Sequence, residues 1–135
     1  MIERMLVEAR ARIDRYTPEE AVAAHAVLVD LRSHDERDAN GIIPGSVHVP
    51  RSVLEWRCDA ESGYSNRHVA DRSARLILVC EHGYSSSLAA ASLAELGFEH
   101  PGDLVGGFEA WAAAGLPVAS APPPADGLPG MGGPQ

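Results

Sequence analysis

The sequence predicts an α/β fold with a central, mainly parallel sheet flanked by helices on both faces. Three observations carry that expectation. Short apolar runs, Val27-Leu28-Val29-Asp30-Leu31 and Leu76-Ile77-Leu78-Val79, show no polar alternation, as in strands buried on both sides. Helical stretches separate these runs, and strands alternating with helices build parallel sheets. Gly41, Gly97 and Gly115 each follow a helical stretch as a stop.

Taken in order, Met1 to Arg15 reads as a helix, with Ile2, Met5, Leu6, Ala9 and Ile13 at helical spacing. Thr17-Pro18-Glu19-Glu20 starts a second helix: Thr17 caps, Pro18 stands first and Glu20 completes a capping box. A strand follows at Val27–Leu31, then a polar helical turn from His34 to Asn40. Ile42-Ile43-Pro44-Gly45 turns into a short strand, Val47–Val49. Arg51 to Arg57 is read as helical and Asp59 to Asn66 as irregular. The remaining elements are a strand at Leu76–Val79, a helix from Ser85 to Gly97, a short strand Asp103–Val105 and a helix Phe108–Ala114.

The 135 residues suit one domain. Residues 1–11 read as an N-terminal helical extension and 12–118 as the folded domain. Residues 119–135 are mostly Pro, Gly and Ala and read as a disordered tail. No stretch resembles a membrane span or secretory signal, and two cysteines, Cys58 and Cys80, make no disulfide framework; a cytoplasmic location is expected. The net charge of -8 argues against nucleic acid and anionic membranes as partners. There is no lysine, and the last arginine is Arg75. Any fixed cation near Cys80 must therefore come from earlier in the chain.

Cys80 is the most informative residue. It ends an apolar strand and opens the loop Glu81-His82-Gly83-Tyr84-Ser85-Ser86-Ser87, which runs straight into a helix. That placement gathers backbone N–H groups around one sulfur and favours thiolate over thiol. Asp30, at the end of its strand, is placed to accept backbone N–H bonds or to meet Arg32, a supporting role. Trp111 reads as core, and Gly106-Gly107 as a tight strand-to-helix turn.

These residues resemble the rhodanese-homology family. Leu28-Val29-Asp30-Leu31-Arg32, Glu36 and Gly41–Pro50 resemble its entry motif, and Leu78-Val79-Cys80 with the following loop resembles its active-site loop. Val105-Gly106-Gly107-Phe108-Glu109-Ala110-Trp111, ending in Ala114–Val118, is similar to its closing motif. The resemblance implies a three-layer rhodanese-like domain and a sulfurtransferase whose catalytic Cys80 carries sulfur as a persulfide. It needs no cofactor. A small-molecule sulfur donor and a thiol or other nucleophilic acceptor are its implied partners, with room for a protein partner.

Glu81, His82, Gly83, Tyr84, Ser85 and Ser86 form the expected substrate-binding loop. Many loops of the family carry arginine or lysine after the cysteine, whereas the matching residues here are Glu81 and Ser85. Glu81 would oppose a dianion, so a persulfide or organic thiol-bearing donor is expected rather than thiosulfate. Arg51 and Arg57, on either side of Trp56, are the expected pocket cations. Ser85 or Ser86 binds the donor or caps the helix. Cys58 is a resolving thiol or a bystander. Phosphatases of related fold close the loop with arginine, where this chain has Ser86. No paired metal-ligand spacing occurs, so no metal is expected. The alternative function is a non-catalytic regulatory or thiol-sensing module.

Overall fold

The computed structural model describes residues 1–123; most of the segment read as a tail, residues 124–135, lies outside them. Helix α1 (Ile2–Arg10) leads into strand β1 (Asp14–Tyr16), helix α2 (Pro18–Ala23) and strand β2 (Val27–Asp30). Then come α3 (His34–Asn40), β3 (Val47–His48), a 3-10 turn (Arg51–Val53) and α4 (Leu54–Cys58). The chain continues through β4 (Arg75–Val79), α5 (Ser85–Glu95), β5 (His100–Leu104) and α6 (Gly107–Ala113). The five strands form one sheet in the order β1-β5-β4-β2-β3, and every pairing is parallel. The α/β expectation is met.

Strand β4 shows why its run lacks alternation. Leu76 and Leu78 point into one buried layer with Val29, Leu54, Leu93 and Phe98. Ile77 and Val79 point into the other, with Leu104, Phe108 and Trp111. Helices cover both faces, so a polar side chain on either side would lose its solvent. The Trp111 indole is buried and donates to the Pro117 carbonyl at 2.8 Å, so its one polar atom is satisfied. At α2, Thr17 and Glu20 form the reciprocal capping box that the sequence predicts, and Ser33 and Glu36 form a second at α3.

The N-terminal reading needs correction. The first helix ends at Arg10, and Asp14–Tyr16 is an edge strand rather than helix. Three residues, two of them charged, are too few to show a period of two. Strand β5 begins at His100, earlier than expected, because Pro101 and Gly102 speak against a strand in isolation. A side chain at Gly102 would meet the Asp14 carbonyl and the Tyr16 ring, each at 2.8 Å, so β1 packs where glycine leaves space. Ala119, expected in the tail, exchanges backbone hydrogen bonds with Ile42.

The ends of β2, β4 and β5 open on the same edge. Strand β4 stands between β2 and β5, and the loop after it faces outward at the centre of the sheet, where α/β proteins bind ligands.

Candidate active site

Cys80 follows the last residue of β4 and is only 7 % exposed. The chain then curls so that two main-chain amides point at the sulfur. Gly83 N–H donates to Sγ at 3.1 Å and Ser86 N–H at 3.4 Å. The curl depends on Gly83, whose φ is +85°. A Cβ there would lie 2.6 Å from the Gly106 nitrogen, so position 83 excludes side chains twice over.

Helix α6 fixes the loop from the side. Its first amides lack partners within the helix, and two find carbonyls of the loop. Phe108 N–H donates to the Cys80 carbonyl at 2.8 Å and Glu109 N–H to the Glu81 carbonyl at 3.0 Å. The approach is close enough that a Cβ on Gly107 would collide with the Cys80 carbonyl oxygen. The closing motif and the cysteine loop are thus one unit.

The Cys80 thiol is held below its ordinary range. Burial pushes it up, but the hydroxyls of Ser86 and Ser85 and the amides of Ser86 and Gly83 outweigh burial. The Ser86 hydroxyl also reaches Asp103 at 2.8 Å, so the carboxylate competes with the sulfur for its one proton, whereas the backbone fixes the two amides on sulfur.

A cleft of about 370 Å³ opens over the sulfur. Glu81, His82, Tyr84 and Ser85 line it from the loop, with Arg32 beyond the end of β2 and Arg51 in the 3-10 turn. Asp30 braces this wall. It accepts the Arg32 amide at 3.0 Å, the Arg32 side chain twice at 3.1 Å and Arg37 at 2.7 Å. Burial raises its carboxyl, yet the Arg32 bonds and the charges of Arg32 and Arg37 hold it below the usual carboxylate range. Arg32 also lies over the Phe108 ring at 3.9 Å.

Glu81 does not confront the sulfur. Its carboxylate accepts Arg32 Nη1 at 3.0 Å and Asn40 Nδ2 at 3.3 Å. His82 is exposed, its Nδ1 3.3 Å from the Glu109 carboxylate. Of the two expected pocket cations, Arg51 lines the cleft and Arg57 does not. Arg57 is buried and donates to the Tyr64 carbonyl at 2.9 Å. Neither serine makes a side-chain cap on α5, whose capping position is Tyr84. Cys58 sits in the core, where burial, with Glu55 adding to it, pushes its thiol up to about 12. That setting leaves no thiolate for a resolving role.

Sequence reasoning missed what lies behind the loop. Asp103, fully buried, accepts Ser86 Oγ at 2.8 Å, Ser87 Oγ at 2.7 Å and Arg15 Nε at 2.8 Å. Arg15 and Arg10 each donate to the Gly83 carbonyl, at 3.1 and 3.0 Å. The only sequence signal was the absence of arginine and lysine after Arg75, which sends any cationic partner to residues 1–75.

A family model for the rhodanese-like domain matches residues 8–114. The chain belongs to the rhodanese-like family. Its relatives include a thiosulfate sulfurtransferase GlpE of Stutzerimonas stutzeri, 41% identical over 100 residues, covering 72% of this chain and 83% of that protein. This rhodanese-like chain also resembles a solved protein of unknown function from Rhodopseudomonas palustris, called a possible tyrosine phosphatase. That match has 33% identity and a TM-score of 0.81 over 87% of this chain and 93% of the other. The polysulfide-sulfur transferase of Wolinella succinogenes matches with 25% identity and a TM-score of 0.70, over 88% and 87% of the two chains.

The expected preference for an organic persulfide over thiosulfate is overturned. Several curated relatives are thiosulfate sulfurtransferases. The physical premise fails as well, since the Glu81 charge is spent on Arg32. No helix among the described residues is long and apolar enough to cross a membrane.

Proposed function

We propose that this rhodanese-like sulfurtransferase takes sulfane sulfur from thiosulfate on Cys80 and passes it to a thiol or other small nucleophile. The observation that carries the reading is the Cys80 sulfur at the floor of a cleft, with two amides aimed at it. In the first half-reaction the thiolate attacks the outer sulfur of thiosulfate. A new S–S bond forms, the S–S bond of thiosulfate breaks, and sulfite leaves with its electron pair. In the second, the acceptor attacks the terminal sulfur of the Cys80 persulfide and the thiolate departs as leaving group.

The loop amides stabilise negative charge on Sγ in the resting thiolate and again as Sγ departs as the leaving group in the second half-reaction. Arg51 at the cleft wall is the donor's cationic contact, and the Ser85 hydroxyl is a further donor to its oxygens. Glu81 acts here as the carboxylate that holds Arg32 in place. Asp30 and Arg32 support the wall.

Mixing the full chain with thiosulfate and following intact mass tests this. The expected result is a gain of one sulfur atom on Cys80 and release of one equivalent of sulfite, both absent in Cys80→Ser. Sulfite release that persists in Cys80→Ser would overturn the assignment.

A further inference from the structure

The charges in front of Cys80 nearly cancel. Arg32 is shared between Asp30 and Glu81, and Asp30 also holds Arg37. Arg51 is paired with Glu55 at 3.0 Å. Glu36 adds a carboxylate to the cleft wall, and His82 faces Glu109 in solvent. No residue after Arg75 is Arg or Lys. A thiolate at this point gains little from the cleft side.

Behind the loop the balance differs. Two guanidinium groups converge on one carbonyl oxygen, that of Gly83, and a single buried carboxylate, Asp103, accompanies them. Arg15 is shared between Asp103 and Gly83. Arg10 has only neutral partners among the described residues: the Gly83 carbonyl, Ser87 Oγ at 3.1 Å and the Tyr84 ring at 5.8 Å. The carbonyl they hold belongs to the residue whose N–H meets the sulfur. Ser86 joins the two sides, its amide on Sγ and its hydroxyl on Asp103.

We propose that Arg10 and Arg15 are the positioning cations of the Cys80 loop, acting from behind through the Gly83 carbonyl, and that Asp103 limits how much of their charge the sulfur feels. The proposal rests on the Cys80 reading and adds the source of its positive field. Their contact holds the Gly83 carbonyl, which lies in the peptide after the one whose N–H meets Sγ. It so fixes the chain on the far side of the φ +85° turn on which that N–H depends. Their charge lies across a buried loop, where salt screens it weakly. Asp103 anchors Arg15 and draws the Ser86 hydroxyl proton away from the sulfur. The N-terminal helix is thereby part of the chemistry of a loop more than 70 residues away in the chain.

The test is the pH dependence of Cys80 alkylation by iodoacetamide in the full chain, read on the Cys80 peptide by mass so that Cys58 is scored separately. Arg15→Gln and Arg10→Gln each raise the alkylation midpoint, Arg15→Gln the more, by about one pH unit. Asp103→Asn moves it the other way, since a negative charge goes and the Ser86 hydroxyl is released toward sulfur. Arg12→Gln is the control: it removes the same charge from an exposed site bonded to Glu95 and leaves the midpoint in place. Sulfur-transfer rates of the two arginine variants recover toward wild type at high pH, which a damaged loop would not allow.

If Arg15→Gln does not fold, Arg10→Gln, whose side chain is half-buried, decides. Arginine variants that shift the midpoint no further than Arg12→Gln overturn the proposal and leave the role of Cys80 standing. A rise in Asp103→Asn equal to that in Arg15→Gln also overturns it, because loop damage has one direction and charge has two. A wild-type midpoint at the ordinary value removes the thiolate itself, and the proposed function with it.

Discussion

Cys58 and Cys80 are both buried, at 2 % and 7 % exposure, yet their thiols shift in opposite directions. Cys58 sits on the last residue of α4 among Val29, Leu54 and Phe98, with Glu55 nearby. Nothing there donates to sulfur among the bonds described. Cys80 has two amides on it and a loop braced by α6 on one side and two arginines on another. Burial raises a thiol wherever it occurs; the fixed donors decide whether the sulfur becomes a nucleophile or filler.

The largest effect expected is at the sulfur itself. Cys80→Ser reduces thiosulfate-dependent transfer to background with the thermal transition intact, whereas Cys58→Ala keeps the rate and loses about 1 kcal/mol to the cavity. Steady-state assays and melts on both variants check this. Substantial turnover in Cys80→Ser would erase the contrast.

Gly83→Ala comes next. It forces a Cβ onto the Gly106 nitrogen at a φ of +85°, and costs about 1–3 kcal/mol as the loop opens. The Gly83 amide then leaves the sulfur, so the Cys80 alkylation midpoint moves up toward that of an ordinary thiol. An unchanged midpoint would show that this amide is dispensable.

A smaller effect is the pH dependence of stability, where the two thiols have opposite signs. The folded state lowers Cys80, so its contribution is present above the ordinary thiol range and is lost as pH falls through the lowered value. Cys58 is raised to about 12, so its contribution is full below the ordinary value and is lost as pH rises toward 12. Denaturant titrations of Cys58→Ala should therefore fall less steeply in alkali than the parent, and those of Cys80→Ser should lack the acid-side loss. Parallel curves for parent and variants would contradict both signs.

Much of this contrast was legible in the sequence. An apolar strand ending in Cys80, a loop with Gly83 and a helix directly after it define the nucleophile's setting from local pattern alone. The closing motif was readable for the same reason, since Gly106-Gly107 and Trp111 carry their constraints locally. What was not legible depends on partners far apart. Arg15 and Asp103 are separated by 88 positions, and no periodicity links them. Arg57 belongs to a segment that the family resemblance sets beside the cleft, but the turn of α4 sends it inward to the Tyr64 carbonyl. In the sequence Glu81 is a charge next to Cys80 that would oppose a dianion, and only the fold reveals that Arg32 takes it up.

The least effect is expected at Glu81. Glu81→Gln frees part of Arg32 for the cleft and lowers the KM for thiosulfate by about twofold, with kcat unchanged. A fall in kcat instead would give Glu81 a part in the chemical step.

Alkylation of the wild-type chain across pH, resolved to the two cysteine peptides, weighs the whole argument most directly. The structure predicts a Cys80 midpoint well below the ordinary ~8.5 and a Cys58 that stays unmodified until the protein unfolds. A Cys80 midpoint at or above that of a free thiol, or equal reactivity of the two, would contradict it.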